Sequence, residues 1–136
     1  MKKLIWLFLL ATTAAYSQQP TGFNTFNPRF EVVTLPGGAL GNSVQGIVQD
    51  STGFLWFGSQ EGLHRYDGQN FVTYRHDPNN PNSLASNYIE SVFLDSRGIL
   101  WLAHWTEGGL TAIDPSTETF TRYYHDTDDP ESLSHN

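Results

Sequence analysis

The 136-residue sequence contains no cysteine. That excludes disulfides, cysteine-based zinc sites, thiol catalysis and a lipid-modified cysteine. It also fits an exported protein that does without disulfide stapling. Basic residues are scarce: seven against 14 acidic, and two of the seven are Lys2 and Lys3. Without those two the remainder carries a formal charge of about −9 with histidine neutral. Such a balance argues against nucleic acid or an anionic membrane surface as partner. Long apolar runs are absent as well. The longest, residues 4–10, is too short to span a bilayer.

That short run sits in a recognisable setting. Lys2 and Lys3 precede it, and Ala15-Tyr16-Ser17 offers small residues at a cleavage-site spacing. Residues 1–17 therefore read as a signal peptide, and export is expected. Residues 18–39 follow as a polar lead. They carry one strand-like stretch at 30–35, which resembles the later outer strands.

What the chain has in abundance is self-similarity. Asp50-Ser51-Thr52-Gly53-Phe54-Leu55-Trp56 returns as Asp95-Ser96-Arg97-Gly98-Ile99-Leu100-Trp101 at an offset of 45. Gly62-Leu63-His64-Arg65-Tyr66-Asp67 matches Gly109-Leu110-Thr111-Ala112-Ile113-Asp114 at offset 47, and residues 71–84 match 120–133 at offset 49. A period of this length is a repeat signature. Two copies result, 40–83 and 84–132. Residues 133–136 repeat 84–87 and open what is expected to be a truncated third copy.

Each copy contains four short apolar runs, in the first at 44–49, 54–58, 63–66 and 71–74. All are rich in aromatic and β-branched residues and too short for stable helices. Asp50 to Gly53 and Asp95 to Gly98 suit a tight hairpin with glycine in the left-handed position. Asp67-Gly68 is a second turn signal, replaced by a longer turn from Asp114. The first two runs are apolar on both faces, as strands covered from both sides must be. Gly46 and Ser91 occupy matching places on the inner strand and point to crowding there. The expected fold is all-β, with two four-stranded antiparallel sheets packed face to face as β-propeller blades. The polar, proline-bearing segment 76–83 would cross back roughly 14 Å to the next inner strand. Propellers close with about four to eight blades, so two make an incomplete ring. The remaining blades of the same protein are the first expected partner.

These motifs, together with Leu84-Ala85-Ser86-Asn87 and the run Phe71 to Leu84, resemble the two-component regulator propeller repeat over about residues 30–136. The resemblance implies the N-terminal part of a periplasmic sensor ectodomain in a hybrid two-component system. The implied parent is membrane-anchored and dimeric. Propellers, an immunoglobulin-like domain and a transmembrane helix would precede a cytoplasmic histidine kinase with receiver and DNA-binding modules. Oligosaccharides are the ligands the resemblance implies. A secreted scaffold or a glycan-active propeller enzyme is the alternative. No cofactor is expected, and no catalytic function is expected of this region.

The candidate residues divide into two groups. Asp50, Gly53, Trp56, Gly62 and Asp67, with Asp95, Gly98, Trp101, Gly109 and Asp114, recur with the scaffold. They read as structural, the two tryptophans as packing between blades. His76 and His125 also recur, each before an aspartate, and read as turn chemistry rather than metal ligands. Asp126, Asp128 and Asp129 lack the full spacing of a calcium loop. Glu90 and Glu107 are carboxylates without a recognisable acid–base partner. The break in the repeat is the informative place. Gly58-Ser59-Gln60-Glu61 becomes Ala103-His104-Trp105-Thr106-Glu107-Gly108. His104, Trp105, Thr106 and Glu107 are therefore the expected ligand-contacting loop, with the Trp face stacking on a sugar ring.

Overall fold

The structure, a computed structural model, describes residues 28–38, 43–105 and 108–136. The expected signal peptide and Thr106 and Glu107 lie outside these residues. Eight strands follow one another: β1 (Val44–Gln49), β2 (Leu55–Ser59), β3 (Gly62–Tyr66), β4 (Phe71–Tyr74), β5 (Ile89–Leu94), β6 (Leu100–His104), β7 (Leu110–Asp114) and β8 (Thr119–Tyr123). No helical turn occurs in residues 43–105 or 108–136. The strands form two four-stranded antiparallel meanders, β1-β2-β3-β4 and β5-β6-β7-β8. In both, the inner strand slips by one residue near its start, at Gln45 and at Glu90. The irregularity repeats with the sequence, as a built-in bulge does.

The turns explain the aspartates. Oδ1 of Asp50 accepts from the backbone N–H of Thr52 at 2.9 Å and of Phe54 at 3.1 Å, while Oδ2 accepts from the Trp56 indole at 2.8 Å. Asp95 does the same with Arg97, Ile99 and Trp101 at 2.9, 3.0 and 3.2 Å. One carboxylate thus closes the hairpin and fixes the ring orientation of the tryptophan six residues on. Burial opposes ionisation of Asp50, but its hydrogen bonds outweigh that and lower its pKa. The Arg97 side chain leads the effects that hold Asp95 well below the usual carboxylate range. Gly62 and Gly109 have φ of 124° and 57°, and a Cβ on either would strike the backbone carbonyl oxygen of Tyr74 or Tyr123. Only glycine meets both demands there.

The connectors are clasped from within. The His76 backbone N–H donates to the Asn87 side chain at 2.7 Å, and its Nδ1–H donates to the Leu84 carbonyl at 2.7 Å. Ser83 accepts from the Asp77 N–H at 2.8 Å. His125, Leu133, Asn136, Asp126 and Ser132 repeat these contacts. Arg122 donates to the carbonyls of Ser83, Asp77 and Asn80, tying the first connector to β8.

The core lies between the sheets. Trp56 and Leu63 meet Leu84, Ile89, Leu100, Leu102, Ile113 and Phe120, all buried. Tyr74 stacks on Trp56 at 5.7 Å and packs against Phe120 at 5.5 Å. Gly46 is small because a Cβ there would lie 3.2 Å from the Val92 side chain. Arg65 lies over the rings of Phe54, Trp56 and Tyr74 and pairs with Glu118 across the seam at 2.6 Å.

One expectation needs correction, and two more concern the face of the second sheet that the first does not cover. Residues 30–35 form no strand; Phe30 and Val32 are 88% and 95% exposed. A strand exists only through a neighbour's backbone groups, and the two described sheets are filled by β1–β8. Trp101 holds in the second sheet the register position that Trp56 holds in the first. It is half-buried on the face of the second sheet away from the first, 5.8 Å from the Tyr123 ring, whereas its counterpart Trp56 is fully buried. Ser91, the counterpart of crowded Gly46, is likewise exposed on that uncovered face.

Candidate functional site

Strand polarity places the β2–β3 turn, the loop between β6 and β7, and the end of the 76–88 connector together at one end of the seam between sheets. The bulged starts of β1 and β5 lie at the same end. Gln60, in the β2–β3 turn, donates through Nε2 to the Tyr88 hydroxyl at 2.8 Å, bridging the two sheets. Trp105 follows directly after β6. Its backbone N–H donates to the Tyr88 carbonyl at 3.1 Å, its ring lies 6.0 Å from the Tyr88 ring, and it is 53% exposed. An open cleft of about 430 Å³ is lined by Gln60, His76, Ala85, Ser86, Asn87, Tyr88 and Gly108.

His104 is a different kind of residue from the one expected. It is the last residue of β6, not a loop residue, and it is 8% exposed. Its Nε2 shares a 2.8 Å hydrogen bond with the Thr111 hydroxyl, which also accepts from the Ala85 N–H at 3.0 Å. Burial lowers its pKa to about 4. The first blade carries the same pairing with the histidine moved one strand outward. Buried His64 bonds Ser59 at 3.1 Å and Thr73 at 3.0 Å. An imidazole–hydroxyl pair in the matching place of both sheets is a packing device. Of the expected ligand-contacting residues, only Trp105 is described as open to solvent.

Tyr88, Gln60 and Asn87 are contributors that sequence reasoning passed over. Gln60 and Tyr88 are 28 positions apart, with no periodic signal joining them. Asn87 was visible only as a repeat residue. Among the described residues no three His, Asp or Glu side chains converge to hold a metal ion.

Two four-stranded meanders stacked through a shared core, each passing to the next through a clasped connector, are successive blades of a β-propeller. Residues 38–61 and 83–106 match the family described as two component regulator propeller. It is similar to the extracellular domain of a protein described as a hybrid two component system from B. thetaiotaomicron. That solved structure is 35% identical with a TM-score of 0.63, over 70% of this chain and 13% of that one. It also resembles a histidine kinase of Formosa agariphila, 38% identical over 56 residues. That stretch is 41% of this chain and 4% of the kinase, so the chain spans a small fraction of either relative's length.

Proposed function

We propose that this chain is the N-terminal part of a periplasmic sensor ectodomain of a hybrid two-component system, and that it helps bind an oligosaccharide controlling a histidine kinase elsewhere in the parent protein. The observation carrying this reading is the joint occurrence of two regulator-propeller repeats and likeness to a solved hybrid-system ectodomain. Trp105 supports the ligand class. An exposed indole at a loop end presents a flat apolar face, which suits the C–H face of a sugar ring. Blades supply rigid support, and their loops vary without moving the strands. The role of this region is to bind and transmit rather than to catalyse. In the parent, further blades cover the outer faces of the two described here, and dimerisation across a membrane carries the signal.

The test is phosphorylation of the full-length parent reconstituted in vesicles. Oligosaccharides added on the ectodomain side should change the level of phosphohistidine. A parent without a kinase, or a kinase indifferent to every saccharide offered, would sink the proposal.

A further inference from the structure

The cleft beside Trp105 has a chemical character of its own. Its lining carries no lysine, arginine or carboxylate among the described residues. What it offers is neutral hydrogen bonding from both blades. Asn87 uses Oδ1 to hold the His76 backbone N–H, which leaves its amide NH₂ as a donor. The Tyr88 hydroxyl accepts from Gln60 and keeps its own proton to give. Gln60 retains its carbonyl oxygen as an acceptor. The His76 ring spends Nδ1–H on the Leu84 carbonyl. The nearest cation in sequence, Arg75, is engaged with Glu61 at 3.2 Å. The open cleft thus presents both donors and acceptors, with the tilted Trp105–Tyr88 pair beside it.

A hydroxyl is both donor and acceptor, and a ring of hydroxyls is the ligand that such a lining satisfies. A carboxylate or sulfate would leave the acceptors unmatched and find no lysine or arginine among the described lining residues, in a chain whose net charge is already −7. We infer that the seam cleft is a subsite for a neutral polyhydroxylated saccharide, held by Asn87, Tyr88 and Gln60 beside Trp105, and that it discriminates against acidic glycans. The inference rests on the sensor reading above and names the charge class of its ligand. Because Gln60 and Tyr88 belong to different blades, an occupied subsite also braces the seam.

Calorimetry on the parent's full ectodomain tests it. The probes are neutral gluco-, manno- and xylo-oligosaccharides, set against oligogalacturonates and sulfated oligosaccharides of matched length. A neutral probe should bind and the acidic ones should not. Asn87→Asp keeps the acceptor for His76 but loses the free NH₂, and should weaken the neutral probe about tenfold without shifting the thermal midpoint. Tyr88→Phe removes only the hydroxyl and should weaken it similarly, so the test survives if the first variant misfolds. Binding confined to acidic probes, or unaltered binding in both variants, would overturn the inference. If an acidic glycan binds and also drives the parent's kinase, the sensor reading stands and the neutral subsite falls. If no saccharide binds and the kinase is silent, both fall.

Discussion

Single residues in this chain take their burial from whether a blade covers the face they occupy. Trp56 and Trp101 share a motif and an aspartate acceptor, but only Trp56 is enclosed by a neighbouring blade. Trp56→Ala should destabilise the ectodomain by about 3–5 kcal/mol, the usual cost of truncating a core aromatic. Trp105→Ala should change the thermal midpoint little, because an exposed ring adds little packing. Equal losses in thermal melts would contradict that division. His104 carries a second residue-scale prediction. Its folded pKa of about 4 lies below the ordinary 6.5. The unfolded chain therefore takes up a proton first as pH falls. Stability is full above 6.5 and declines toward 4, by up to about 1.4 kcal/mol per pH unit for this group. Burial lowers the pKa of His64 too, with the same sign. His104→Gln should flatten the curve of thermal midpoint against pH in that window. The lowered carboxylates Asp50 and Asp95 act only at lower pH. Parallel curves for the two proteins would reject a buried neutral His104.

At the scale of elements, much was legible because the motif residues make the local bonds themselves. The aspartate five residues before β2 or β6 closes its own hairpin, and the asparagine and serine late in the connector clasp the histidine and aspartate that open it. Such contacts lie within about a dozen positions, so their spacing survives in the sequence as a motif. Gly62 is the most exacting of these residues, since its φ of 124° and the Tyr74 carbonyl both forbid a side chain. Gly62→Ala should cost about 1–3 kcal/mol. An unchanged melt would show that the turn can relax. Contacts between elements were not legible in the same way. The Gln60–Tyr88 bond and the Arg65–Glu118 pair join residues that share no period. Nor could the position of His104 in its strand be seen: the two extra residues after it looked like one long loop, although the ladder runs on to pair His104 with Ile89. Residues 30–35 have the composition of a strand, but composition supplies no partner.

For the whole molecule, the repeat predicts more than the chain can cover. Equivalent positions alternate in burial. Ile47 is 57% exposed while its counterpart Val92 faces Gly46, and Phe93 is 62% exposed while its counterpart Val48 packs on the core. Each sheet has one face dressed for a neighbour that the other does not supply. Residues 18–136 produced alone should therefore self-associate or melt broadly. The full ectodomain should not do so through these faces. A sharp, reversible transition from a strictly monomeric 18–136 in sedimentation and thermal experiments would count against sandwiched blades. At this scale sequence reasoning reached the architecture, because a period is a global property. It reached the proposed ligand-binding end only through one exposed tryptophan.

The most direct measurement is a crystal structure of the parent's full ectodomain with a saccharide that changes its kinase phosphorylation. The account predicts a sugar ring against Trp105 and hydroxyls bonded to Asn87 and Tyr88 at the seam. A ligand seated instead at the opposite end, around the Asp50–Gly53 and Asp95–Gly98 hairpins, or nowhere on these two blades, would contradict it.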